Sequence, residues 1–149
     1  MFYNSEILLY IIVDFKRESN ILQRIIIIAG PSGVGKTTVS KYLTEKYNIP
    51  RVVTHTTRPM RQGEIPGKSY YFETDESFKK LHFFEHVKYG EYQYGSSKEA
   101  LEKAWAKNDL VSLIVETDGV KSYLEKLGKQ AYFIYLTVSD FSVLKKRLL

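Results

Sequence analysis

The stretch IIIIAGPSGVGKTT, residues 25–38, decides the fold. A β-branched apolar run ends at Ala29, a turn matching G-x-x-x-x-G-K-[ST] follows, and a helix opens behind it. The glycines at 30, 33 and 35 let the chain turn tightly enough to aim backbone N–H groups inward at anionic oxygens. Lys36 is placed to reach the β- and γ-phosphates of a nucleoside triphosphate, and Thr37 to offer its hydroxyl to Mg²⁺. Gly30, Pro31, Ser32, Gly33, Val34, Gly35, Lys36, Thr37 and Thr38 are therefore the candidate ATP-binding residues.

Working outward, Arg24 to Ala29 reads as a buried parallel strand. Thr37 to Lys46 reads as the following helix, with Val39, Leu43 and Tyr47 at helical spacing. Further on, Lys98 to Lys107 predicts a helix, Leu110 to Val115 a buried strand ending at Glu116, Val120 to Leu127 a helix, and Ala131 to Val138 another strand. Strands alternating with helices imply parallel pairing, with ligands at the carboxyl ends of the strands. Glu116 is thereby placed near the phosphate loop, where an acid orients Mg²⁺ or its water shell.

Composition bounds the class. A chain of 149 residues, 44% hydrophobic and 26% charged, suffices for one core and is globular rather than disordered. It has no cysteine, which excludes disulfides, zinc–thiolate sites and a cysteine nucleophile, and is compatible with a reducing compartment. A net charge of +5 suits anionic ligands such as nucleotides. Nucleic acid is not favoured, because the lysines are scattered and Lys145 to Arg147 reads as one solvated helix face.

The leader MFYNSEILLYIIVDFKRESN has an apolar stretch, Ile7 to Val13, too short to span a bilayer. No basic residue precedes it and Asp14, Phe15 and Lys16 follow, so it fails as a signal peptide. It reads as an extra strand or a loosely attached tail, or as translated sequence upstream of the natural start. Neither a membrane nor a secreted location is expected, and the cytoplasm is.

A second chemical segment is THTTRPMRQGEIPGKSYYF, residues 54–72. Pro59, Gly63, Pro66 and Gly67 punctuate it as a loop that carries Arg58 and Arg61. Guanidinium forks on a loop suit a phosphate, and Tyr70 could add a phenolic donor; the alternative is a pair of solvated loop charges. His82 and His86, four apart around Glu85, have a spacing that on a helix could serve a metal, but LHFFEHVKYGEYQYG reads better as the partly buried wall of a subdomain. His55 reads as a loop residue rather than a catalytic base.

The phosphate loop together with T-T-R-x-x-R-x-G-E-x-x-G-x-x-Y-x-F resembles the guanylate kinase family, from about Arg24 to Leu149. That resemblance implies a P-loop three-layer α/β/α core with a parallel sheet and an inserted mixed α+β GMP-binding subdomain. It implies transfer of the γ-phosphoryl group of ATP to GMP, with Mg²⁺ as cofactor. Carried over by position, Arg58, Arg61, Tyr70 and Tyr94 fall where the family grips the GMP phosphate, and Glu85 where a carboxylate reads guanine. Thr54 and Ser96 fall at the hydroxyl positions for guanine O6. The catalytic set is then Lys36, Arg58 and Glu116, within an extension at 1–23, a core at 24–50 and 98–149, and a GMP-binding subdomain at 51–97.

Two departures qualify the likeness. Where the family commonly places acids on the strand before Thr117, this chain has Ile114 and Glu116. The resemblance stops in DFSVLKKRLL, so the lid arginines, a later core strand and the closing helices are expected to be missing, leaving one sheet edge or face uncovered. The alternative function is a catalytically impaired nucleotide-binding or interaction module of the same fold.

Overall fold

A computed structural model describes residues 7–12 and 22–148. They divide into two compact units: the segments before Val52 and from Leu110 onward form the first, and Val52–Asp109 the second.

The first unit is built on β2 (Arg24–Ala29), whose Ile25, Ile27, Ile28 and Ala29 are fully buried. Burial of successive residues marks a strand covered on both faces. It lies between β7 (Leu110–Ile114) and β8 (Ala131–Val138), parallel to both. Ile7–Ile12, within the leader expected to be a strand or a tail, forms β1 and pairs antiparallel along the outer side of β8. The four-stranded order is β1-β8-β2-β7. β8 is thus an interior strand, β1 and β7 are the edges, and the sheet is parallel except at β1.

Helix α1 (Lys36–Tyr47) follows β2. It begins one residue earlier than the pattern predicts because Gly35, in the left-handed region, serves as its N-cap. No side chain caps that end, so its first N–H groups are left for something else to satisfy. The other end closes at Asn48 (φ 55°), with Asn48 N–H bonding Thr44 O and Ile49 N–H bonding Leu43 O. Val39 and Leu43 pack on the core with Ile28, Leu136 and Val138. Tyr47 does not: it is 58% exposed and meets Tyr42 edge-on. Nearer the start of the helix Ser40 meets the sheet, its Oγ 3.3 Å from Ser112 Oγ on β7, both buried. Helix α4 (Val120–Leu127) is as predicted.

The second unit holds a mixed sheet. β3 (His55–Thr56) pairs parallel with β4 (Tyr71–Phe72) and antiparallel with β6 (Tyr92–Ser97), which pairs with β5 (Phe83–Tyr89). The segment 54–72 is therefore a loop only between two short strands. Helix α2 (Asp75–Phe78) is held by a capping box of Thr74 and Ser77. Helix α3 (Lys98–Trp105), two residues shorter than predicted, starts on Ser97, whose Oγ accepts from Ala100 N–H. It belongs to this second unit. In the first unit, α5 (Phe141–Leu148) starts on Asp140, which accepts from Ser142 N–H.

Candidate active site

The phosphate loop is fixed from beneath. Val34, fully buried among Ile28, Leu136, Val138 and Leu144, nails the loop's middle to the core, while Ser32 and Gly33 stay exposed. Gly30 passes so close to β8 that a Cβ there would meet Leu136 O at 2.4 Å. Lys36 Nζ donates to Gly30 O at 2.6 Å and Pro31 O at 3.4 Å, which curls its ammonium back over the loop. Glu116, just past β7, lies 3.8 Å from that ammonium and is largely exposed. Thr37 and Thr38 are exposed in the first turn of α1. A concave run of N–H groups, a helix N-terminus and a lysine together suit a polyphosphate. A hydroxyl and a carboxylate nearby are hard oxygen donors, which fit Mg²⁺ better than a softer metal.

In the second unit the loop after β3 is organised by Arg58, 7% exposed. Its Nη2 donates to Glu64 Oε1 at 2.7 Å, and its Nη1 to Glu64 Oε2 at 3.0 Å and Pro59 O at 2.7 Å. Glu64 also accepts from Arg61 N–H at 2.7 Å. The Glu64 bonds, aided by one to Tyr94, raise the Arg58 pKa, and Arg58 with the Arg61 N–H holds Glu64 below the usual carboxylate range. Arg58 further lies over the Tyr70 ring at 5.6 Å, and Tyr70 meets Tyr94 edge-on at 6.1 Å. Arg58, Tyr70 and Tyr94 are thus one cluster, while Arg61 is exposed on the loop. Arg58 is accordingly no solvated loop charge.

Across the β5–β6 ladder Glu85 stands opposite Ser96, and Val87 opposite Tyr94. A directly opposed pair shares one face of the sheet, so the carboxylate and the hydroxyl look the same way. Thr54 immediately precedes β3 and holds β4 through its carbonyl, which accepts from Tyr71 N–H. His82 and His86 are not on a helix: His86 lies in β5, and the exposed His82, before it, bonds the half-buried Glu99. Among the described residues no three His, Asp or Glu side chains gather as a metal site would require. His55, expected in a loop, is instead buried in β3.

The guanylate kinase family model matches residues 22–149. The chain belongs to the guanylate kinase family. It is 39% identical over 131 residues to "Guanylate kinase 2, chloroplastic/mitochondrial" of Oryza sativa subsp. japonica, covering 84% of this chain and 46% of that protein. To guanylate kinases of Sus scrofa and Helicobacter pylori it is 35% and 36% identical, again over 84% of this chain, and covers 66% and 63% of theirs. The chain thus spans about half to two thirds of the length of these relatives. The crystal structure of guanylate kinase from Anaplasma phagocytophilum superposes with a TM-score of 0.62 at 27% identity, over 86% of this chain and 66% of that one.

Sequence reasoning missed Glu64. It is the acid of the R-Q-G-E run and stands inside the T-T-R-x-x-R-x-G-E motif, and a lone carboxylate six residues after an arginine in a proline- and glycine-punctuated loop was the available signal.

Proposed function

We propose that this protein is a guanylate kinase that transfers the γ-phosphoryl group of ATP to GMP, giving ADP and GDP. What carries the reading is the second unit's pairing of a carboxylate-and-hydroxyl strand face, Glu85 opposite Ser96, with the Arg58–Tyr70–Tyr94 cluster. One group suits a purine edge and the other a phosphate.

An ionised Glu85 accepts from guanine N1–H and N2–H, donors that adenine does not present there. Ser96 and Thr54 donate their hydroxyls to O6. Arg58 and Arg61, with Tyr70 and Tyr94, hold the GMP phosphate. The loop from Gly30 to Thr38 binds the ATP phosphates through its N–H groups, and Lys36 exchanges its bonds to Gly30 O and Pro31 O for phosphate oxygens. Mg²⁺, held by Thr37 with Glu116 orienting its water shell, would neutralise charge on the β- and γ-phosphates. A GMP phosphate oxygen forms the new P–O bond as the bond to the bridging oxygen of ADP breaks. Such a loose transition state depends on positioning and charge more than on a strong base.

The partners are then two nucleotides rather than nucleic acid or a membrane, and the site of action is the cytoplasm. No helix among the described residues is long and apolar enough to cross a bilayer. A second reading, an impaired nucleotide-binding or interaction module, draws on Arg58 being engaged by Glu64 and on Ile114 standing where the family places an acid. One assay separates them: ATP-dependent conversion of GMP to GDP, with AMP as control acceptor and Lys36→Ala as background. Turnover with GMP that is lost in the variant is the expected result. A folded protein with no turnover above that background would sink the kinase reading in favour of the module.

A further inference from the structure

Behind the strands that carry Glu85, Tyr94 and Ser96 runs a buried polar bridge that phosphoryl transfer does not use. His55, 5% exposed, has Nδ1 at 2.8 Å from Glu73 Oε1 and Nε2 at 2.7 Å from Ser97 Oγ. An ionised carboxylate only accepts, which puts a ring proton on Nδ1, and Nε2 shares a hydrogen bond with the Ser97 hydroxyl. Ser97 Oγ in turn accepts from Ala100 N–H at 3.0 Å as the cap of α3. Both ring nitrogens therefore have a partner within the buried bridge.

Serine, histidine and glutamate in this order are also the parts of a hydrolase triad. Here that chemistry fails, because Ser97 is 1% exposed and its oxygen is committed to a helix end. The bridge is mechanical.

Side chains alternate across a strand, and the pairing shows which ones share a face. His55 is opposite Gly95, and so is His86. Phe83 covers Gly95 so closely that a Cβ there would meet its ring at 2.6 Å, and it packs edge-on to His55 and against Phe78 at 4.4 Å. On the other face, Thr56 is opposite Tyr94, Val87 opposite Tyr94, and Glu85 opposite Ser96. The sheet has a reading face and an anchoring face, and the chain neighbours of His55 and Ser97 are Thr54 and Ser96.

We propose that His55 is a positioning residue for guanylate recognition. Its imidazole ties β3 to the β6–α3 junction and to Glu73 just past β4, and so fixes the register in which Thr54, Ser96 and Glu85 meet the base. Register is the property at stake, since a one-residue slip turns every side chain to the opposite face. This inference rests on the assignment of those three residues to GMP.

The test is calorimetric titration of GMP and of a non-hydrolysable ATP analogue, with melting temperatures, on His55→Phe, His55→Asn, His55→Gln and the reference variant Glu85→Gln. Asn keeps a donor for Glu73, Gln keeps an acceptor for Ser97, and Phe keeps neither. His55→Phe is expected to weaken GMP about tenfold and to leave the ATP analogue unchanged, with Asn and Gln between it and the parent. If the Phe variant does not fold, the other two carry the test, each expected to weaken GMP about threefold.

Folded variants that bind GMP like the parent, while Glu85→Gln loses it, would overturn the positioning role and leave the guanine assignment standing. So would a parallel loss of both nucleotides. If Glu85→Gln binds GMP as tightly as the parent, the assignment falls and this inference falls with it.

Discussion

Arg58 and Glu64 meet fork to fork, with Nη2 to Oε1 at 2.7 Å and Nη1 to Oε2 at 3.0 Å, on a loop whose other strut is the Arg61 N–H on the same carboxylate. The arginine proposed for the GMP phosphate is thus pre-aimed by a neighbour rather than left as a free cation. Two parallel charge-assisted bonds fix a plane as well as a distance, which one solvated ion pair does not. Pro59 O takes a third N–H and sets the direction of the fork.

This pair gives a pH dependence whose sign is fixed. The Arg58 bonds, then the Arg61 N–H, lower the Glu64 pKa from its ordinary 4.5. A carboxylate with a depressed folded value contributes stability that is present above the unfolded pKa and lost as pH falls through the folded one. The melting-temperature advantage of the parent over Glu64→Gln should therefore be flat between about pH 6 and 8 and shrink only below about pH 4.5. An advantage already gone at pH 6 would show that the carboxylate is not held as the geometry indicates.

Lys36 carries the corresponding prediction for the phosphate loop. Its side chain is 11% exposed and its ammonium is bonded to Gly30 O, whereas its contact with the exposed Glu116 is long and solvated, so that ion pair adds little to stability. Lys36→Ala should slow GDP formation by about 10²-fold or more while barely changing the melting temperature. Steady-state rates beside a thermal melt check both halves. A variant that melts much earlier would mean that the lysine is a structural strut.

How much of this was legible in the sequence depends on whether a signal was local. Strand β2, the glycine turn and α1 lie next to one another in the chain, and their pattern of β-branched run, glycines and helical spacing needs no tertiary knowledge. The pairing of Ile7–Ile12 along β8 joins segments over a hundred residues apart, and periodicity carries no information about partners. His55 was misread for a related reason. Its strand is only two residues long, between a loop rich in turn formers and a short run before it, and its burial comes from Glu73, Ser97 and Phe83 arriving from elsewhere in the chain. Glu85 and Ser96 are eleven residues apart and unremarkable singly, and only the ladder makes them a pair.

Tyr47 and Ile27 give a contrast in which the amphipathic reading of α1 is itself at stake. Ile27 is fully buried between β7 and β8, so Ile27→Ala should cost about 2–5 kcal/mol. Tyr47 has the spacing of a core residue but is 58% exposed, so Tyr47→Ala should change stability by no more than about 0.5 kcal/mol. Urea unfolding of the two variants decides it. A large loss at Tyr47 would restore the position to the core.

Gly30 and Gly35 both have positive φ, 148° and 107°, yet they should not respond alike to a methyl group. At Gly35 a Cβ would meet nothing within 4 Å, so Gly35→Ala carries backbone strain alone, about 1–3 kcal/mol. At Gly30 the same Cβ would lie 2.4 Å from Leu136 O, which is main chain in a strand paired on both sides and cannot swing aside as a flexible side chain would. The loop itself must move, and Gly30 O, the acceptor of the Lys36 ammonium, moves with it. Gly30→Ala should therefore destabilise more than Gly35→Ala in chemical denaturation, and should also weaken an ATP analogue while sparing GMP. Equal losses of stability in the two variants would show that β8 yields at Leu136, and that the close approach of loop to strand is not what holds the phosphate loop in place.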